Sequence, residues 1–209
     1  MPKHGFKWRT QKLKELDEAE LNVLLAPHGD HRVSARLGRW IYENLATSEV
    51  TKIRALECIA WDESAPWGNA YLWRELENHK SEPFGDWVVV ALTRPGVDKA
   101  RDAEKFVALY ADPSAHELTR GSALFGLNNS VTLARFIRTD PLSPEVWTAV
   151  RDTCAKALND RENAYARAGA CWLAHQLGGF EGELESLAND TSKVPLYGET
   201  TVADFARAD

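Results

Sequence analysis

Apolar residues return every three or four positions through most of this 209-residue chain, and strand-like alternation is nearly absent. Val33, Leu37, Trp40, Ile41 and Leu45 form one such stripe, and Ile53, Leu56, Ile59 and Ala60 form the next. The pattern recurs at Phe106, Leu109 and Tyr110, at Leu118, Leu124 and Phe125, and at Val146, Val150, Cys154 and Leu158. It returns a last time at Cys171, Trp172 and Leu177. A period of 3.6 residues places each set on one face of a helix, and that face must be buried against another element. Trp87 to Leu92 is rich in β-branched residues and permits a strand. Isolated among helices it would lack a pairing partner, so a buried helix is expected there.

Punctuation agrees with this reading. Asp30, Ser48, Ser114, Ser143 and Asp160 each precede a periodic run and have side chains able to accept from free helical N–H groups. Ser114 and Glu117 have the spacing of a capping box, and Thr201 with Asp204 repeats it. Pro66, Pro83 and Pro144 stand where a first helical turn tolerates a missing N–H. Pro95-Gly96, Asp112-Pro113, Asn128-Asn129, Asp140-Pro141 and Gly178-Gly179 read as turns. Helices of about 10–18 residues joined by short loops follow. The expected organisation is a basic arm over residues 1–16 and a single helical domain over 17–209.

Three of these helices share a local pattern. Arg54, Arg120 and Arg167 each stand ahead of small residues and then an apolar pair, and Asp112 and Asp160 precede the last two. Arg120 and Arg167 are 47 residues apart. On these residues the chain resembles HEAT repeats, most closely over 113–179; the helices near Trp67 and Trp87 lack the Asp–Arg signature. The resemblance implies an all-α, right-handed α-solenoid of stacked antiparallel hairpins, with an irregular helical bundle as the alternative. Small residues let such helices approach closely, while an Arg stem covers apolar surface and its head bonds a neighbouring carboxylate or carbonyl.

Charge narrows the partners. The formal net charge is −6, yet Lys3, Lys7, Arg9, Lys12 and Lys14 crowd the first fourteen residues, leaving 20 basic against 31 acidic residues elsewhere. This arm is either a solvated tail or a contact for an anionic surface. The acidic body disfavours nucleic acid and favours a protein partner with a basic face. Cys58, Cys154 and Cys171 are too widely spaced for a Cys-x-x-Cys pair and sit among apolar residues, which suits a reducing, cytoplasmic setting. No apolar run is long enough to span a bilayer, and no secretory leader is expected.

Two constellations bear on function. His28-Gly29-Asp30-His31 gathers potential metal ligands, but the histidines lie in a Pro-Gly turn, no fourth ligand is implied, and capping explains Asp30. No metal and no cofactor is expected. The second is Trp61, Asp62, Glu63, Trp67, Tyr71, Trp73 and Glu75, in a stretch holding three of the eight tryptophans. Aromatic rings beside carboxylates can cage a cation or anchor a protein partner. The bland alternative is that these rings pack between hairpins while the acids cap or solvate the turn. Asp62 and Glu63 are adjacent and diverge on most backbones, which weakens an acid–base role. No nucleophile elbow, phosphate loop or dinucleotide fingerprint is present.

A non-catalytic protein-interaction module is therefore the leading expectation, one form of it an immunity- or antitoxin-type inhibitor. The alternative is a DNA-repair enzyme resembling HEAT-like alkylpurine DNA glycosylases, which use Trp, Asp and Arg in a concave cleft. A scaffold or a chaperone for a cofactor is a third reading, which no residue selects.

Overall fold

The computed structural model describes residues 11–25, 33–62, 64–93, 102–137 and 142–208. The His28–His31 turn, Glu63, Arg101, Arg138, both Pro95-Gly96 and Asp140-Pro141, and the arm up to Thr10 lie outside these. The described residues are all-helical; the only extended pairing among them is an isolated bridge between Lys193 and Thr201. No helix among them is long and apolar enough to cross a membrane. They fall into two compact units, with the boundary between Glu75 and Leu76.

The first unit holds α1 (Glu18–Leu24), α2 (Ala35–Asn44), α3 (Glu49–Trp61) and the start of α4 (Gly68–His79). Helix α1 begins in a capping box, Asp17 with Glu20, and α3 is capped by Ser48, whose Oγ accepts from Thr51 N–H at 3.4 Å. Helices α2 and α3 pack together, and α1 packs on α3. Leu13, Leu21, Leu25, Val33, Ile41 and Ala55 form the buried centre. Polar ties fix α1 to α3: Glu18 accepts from Ser48 N–H and Thr51 Oγ1, both at 2.9 Å, and Arg54 donates to Asn22 O at 2.7 Å.

The second unit holds α5 (Phe84–Leu92), α6 (Ala103–Ala111), α7 (Glu117–Ile137), α8 (Pro144–Leu158), α9 (Ala164–Leu177), α10 (Glu181–Leu187) and α11 (Val202–Ala206). Trp87 to Leu92 is helical, with Val88 and Val89 fully buried, as its isolation among helices predicts. Helix α7 packs on α5, α6 and α9, while α9 packs on α8 and α11 and α6 touches α8. Two successive pairs, α6/α7 and α8/α9, thus meet first helix to first and second to second. Glycine permits the closest of these approaches. A Cβ on Gly126 would lie 2.6 Å from the Phe106 ring, and one on Gly169 would lie 2.8 Å from Leu124 Cβ. Both positions sit inside helices, where Gly costs about 1 kcal/mol against Ala, so the approach it allows must offset that.

The loops after α6, α8 and α10 repeat one device. Asp112, Asp160 and Asp190 each turn one carboxylate oxygen back to main-chain N–H groups two or three residues on: to Ser114 at 2.8 Å, to Glu162 and Asn163 at 3.2 Å, and to Ser192 at 2.9 Å. The other oxygen faces a cation: Lys80 at 2.9 Å from Asp112, Arg120 at 3.8 Å from Asp160, Arg167 at 2.9 Å from Asp190. Arg120 and Arg167 also donate to main-chain carbonyls, Tyr110 O at 2.9 Å and Asp160 O at 2.5 Å. Their heads reach neighbouring carboxylates and carbonyls, as the sequence pattern leads one to expect.

Four local expectations fail for identifiable reasons. Ser114 does not cap α7, because Asp112 holds it in the preceding turn and the helix starts at Glu117, with Leu118 N–H donating to His116 Nδ1. Asp160 does not cap α9; Asn163 does, accepting from Ala166 N–H at 2.9 Å, while Asp160 braces the turn before it. Asn128-Asn129 does not break the chain. Helix α7 runs on for 21 residues, because Asn129 donates across to Thr93 O and Ser130 and Thr132 bond back to their own helix, while α6 and α9 pack along it. Trp172 sits on the buried stripe by periodicity but is 40% exposed.

Hydrogen bonds from Ser114 and Lys80 hold the Asp112 carboxyl down to about 2. An unfolded Asp titrates near 3.9, so the stabilisation is complete above about pH 4 and lost as pH falls towards 2. Thermal melts from pH 5 to pH 2 are expected to show wild type more stable than Asp112→Asn at pH 5, with the two midpoints converging near pH 2. Parallel curves would rule out this contribution.

Candidate functional site

The expected aromatic–acidic turn joins α3 to α4, and its backbone dictates what each acid does. Helix α3 ends at Trp61, and Asp62 leaves the helical conformation, which directs its carboxylate across to the start of α2. One oxygen accepts from Ala35 N–H at 2.8 Å, so Asp62 satisfies a free donor of the α2 N-terminus from outside that helix. The other accepts from Ser64 N–H at 3.0 Å and Ser64 Oγ at 2.5 Å. Burial opposes its ionisation, but the bonds from Ser64 and Ala35 outweigh it and hold the carboxyl below its ordinary range. Both oxygens are committed, so Asp62 is a structural anion.

The aromatic residues gather one turn later. Tyr71, on α4, is only 4% exposed and meets Trp67 edge to face, with centroids 5.9 Å apart. Two guanidinium groups flank the Tyr71 ring, Arg39 from α2 at 4.8 Å and Arg74 from α4 at 4.9 Å. Arg39 also lies 5.7 Å from the centre of Trp67. Each cation has its carboxylate: Arg39 Nε bonds Glu43 at 2.8 Å, and Arg74 meets Glu75 at 3.3 Å. The Glu43 bond favours the charged form of Arg39 against its partial burial. Burial, with Glu75 beside them, pushes the Tyr42 and Tyr71 phenols far above their ordinary range, so both stay neutral.

A surface concavity of about 360 Å³ opens beside this cluster, lined by Arg36, Arg39, Trp40, Glu43 and Trp67. Of the residues singled out in sequence, Trp67 lines it, while Tyr71 and Glu75 sit behind it. Trp61 and Trp73 are half-buried and do not line it, and Glu63 lies outside the described residues. Sequence reading missed the α2 contribution. Arg36, Arg39 and Glu43 recur at helical spacing and could have been read as a second, polar face of α2. Trp40 was assigned to the core stripe by its period, yet it is partly exposed and lines the concavity. The expected cluster of rings beside acids is therefore a cluster of rings between arginines and acids.

Guanidinium on an aromatic face is attracted by the ring quadrupole and keeps its N–H edge available for further hydrogen bonds. The three thiols are held protonated. Burial pushes the thiols of Cys58, Cys154 and Cys171 up to about 12, so they remain protonated at neutral pH. In the second unit Asp86, Ser122 and Tyr165 form a polar cluster: Ser122 Oγ donates to Asp86 and lies 3.2 Å from the Tyr165 hydroxyl. Asp86 and Ser122 are each 1% exposed, which closes them to any substrate.

Loss of the Asp62 carboxylate is expected to lower stability by about 1 kcal/mol, the cost of removing a helix cap. Chemical denaturation of Asp62→Ala and Asp62→Asn checks this. Asn keeps one accepting oxygen, so it can serve Ala35 N–H or Ser64 but not both, and is expected to recover only part of the loss; an Asn variant as stable as wild type would show that one of the two oxygens is dispensable. Comparison with protein-family models, curated proteins and solved structures finds no match for this chain.

Proposed function

We propose that this chain is a non-catalytic protein-interaction module that binds a protein partner with a basic face, built as a right-handed, HEAT-like stack of helical hairpins. The observation that carries the reading is the Trp67–Tyr71–Arg39 cluster beside an open concavity. Tryptophan, tyrosine and arginine are the residues on which protein–protein binding energy concentrates, because they combine large apolar area with a polar edge. Pre-paired arginines also lose little freedom on binding, since Arg39 is already held by Glu43 and two rings.

Two features support the architectural part. The contacts of α6 with α8 and of α7 with α9 are those of neighbouring hairpins in a stack. The aspartate turns after α6 and α8 recur 48 residues apart, close to the HEAT period. The acidic excess of the whole chain, net −6, supports a partner with a basic face by speeding and selecting that encounter, while carboxylates of the partner would meet Arg36 and Arg39 at the concavity itself. An immunity- or antitoxin-type inhibitor is one form of this reading. The glycosylase reading draws no support from Asp62, whose two oxygens are both bound by main chain and Ser64 rather than free to face a substrate.

The test is quantitative affinity capture with wild type, Trp67→Ala and Arg39→Ala side by side. A basic protein retained by wild type and reduced at least about 10-fold on both variants is expected, with helical circular dichroism unchanged. Retention that ignores both substitutions, or tight and steeply salt-dependent binding to duplex DNA instead, would contradict the proposal.

A further inference from the structure

The second unit carries another exposed aromatic surface, far from the chain segment that forms the concavity in sequence. Phe125, Trp172, Tyr197 and Phe205 make one continuous cluster: Trp172 meets Phe125 at 5.3 Å and Phe205 at 5.5 Å, and Tyr197 meets Phe205 at 5.2 Å and stacks on Phe125 at 6.1 Å. Its outer edge is open to water. Trp172 is 40% exposed, Tyr197 36% and the adjoining Leu196 59%.

Leu196 is also the one non-glycine residue with positive φ among the described residues, at 69°. A leucine there is strained, because its Cβ crowds the carbonyl oxygen, and burial of its side chain does not compensate. The loop around it is firmly tied, so the conformation is imposed rather than slack. Val194 N–H donates to Thr200 O at 2.9 Å, Val202 N–H to Ser192 O at 3.0 Å, and Arg167 Nη2 to Ser192 Oγ at 3.0 Å. A strained, exposed leucine next in the chain to Tyr197, whose ring shares Phe125 and Phe205 with the exposed Trp172, is a combination that folding alone does not favour.

The surrounding charge states what fits. Between Glu181 and Ala208, acids outnumber bases six to two. Both bases are spoken for: Lys193 pairs with Glu199 at 2.8 Å, and Arg207 donates to Ala188 O. Glu183 and Glu185, on α10, have no ion pair among the described residues, and α10 packs on α11, which carries Phe205. The result is an apolar ledge in a negative field.

We propose that the Trp172–Leu196–Tyr197 ledge is a docking surface for a basic segment of a protein partner that presents an aliphatic or aromatic side chain. The ledge supplies apolar area and the acidic surround selects lysine and arginine around the anchor. This rests on the reading of the chain as an interaction module but assigns it a second, separate contact face.

The test uses twelve-residue displayed peptides selected on the full chain, followed by fluorescence-polarisation titration of the selected peptides against four proteins: wild type, Trp172→Ser, Leu196→Gly and Trp67→Ala. Selected peptides are expected to place Arg or Lys around a Leu, Phe or Trp. Binding is expected to weaken at least about 10-fold on Trp172→Ser and on Leu196→Gly and to be unchanged on Trp67→Ala. Leu196→Gly is expected at the same time to raise the melting temperature, because glycine accepts positive φ without strain. That separates loss of a contact from loss of the fold. The proposal is overturned if peptides bind Trp172→Ser and Leu196→Gly as they bind wild type, if acidic peptides are selected, or if wild type forms a dimer in sedimentation that Trp172→Ser abolishes. Binding lost only on Trp67→Ala would overturn the ledge while leaving the concavity reading intact. Binding weakened on the two ledge variants alone, beside a failed capture experiment at Trp67, would separate the two in the other direction.

Discussion

The second unit depends on an aspartate that does two jobs. A helix that ends in a tight turn leaves main-chain N–H groups without partners, and a carboxylate on the turn can accept from them. The same carboxylate then has one oxygen left for a cation from another helix or loop. Asp112 with Lys80, Asp160 with Arg120 and Asp190 with Arg167 each follow this logic. The third is the most enclosed, with the Arg167 side chain 6% exposed. It gathers Asp190, Ser192 and Asp160 O around one guanidinium, so three segments are tied at one point. A buried pair alone is a poor guide to stability, because desolvation offsets attraction. Here each guanidinium nitrogen has its own acceptor, Asp190, Asp160 O and Ser192 Oγ, which is the condition that favours such a pair.

That device explains why much of the second unit was legible in sequence. The Arg and the upstream Asp are both visible, and the small residues after the Arg mark where helices approach. The misses are also physical. Asn128-Asn129 looks like a break because isolated amides compete with helical hydrogen bonds, yet the packing of α6 and α9 along α7 holds the helix through them. Ser114 and Asp160 look like caps because they are cap residues near helix starts. In both places an Asx turn occupies the two or three residues before the helix, and only backbone geometry reveals that offset.

The candidate sites divide in the same way. Trp67, Tyr71 and Glu75, grouped by their spacing in sequence, share one neighbourhood in the structure. It did not assign Asp62 its partner, because Ala35 N–H is 27 residues away in the chain. Nor did it bring Arg36, Arg39 and Trp40 to the site, since the contact between α2 and α4 residues is a property of packing, not of local pattern. The ledge at Trp172 was hidden by the helical period itself. A residue on the stripe is buried only if something covers it, and Trp172 meets Phe125 and Phe205 yet stays 40% exposed.

The central physical claim is that cation–aspartate ties at the turns hold this unit together. A double-mutant cycle on Arg167 and Asp190, with Arg167→Met, Asp190→Asn and the pair compared by urea denaturation, tests it most directly. The account predicts a coupling free energy on the order of 1–2 kcal/mol, as for groups sharing one buried network. Additive losses, with no coupling between the two positions, would contradict it.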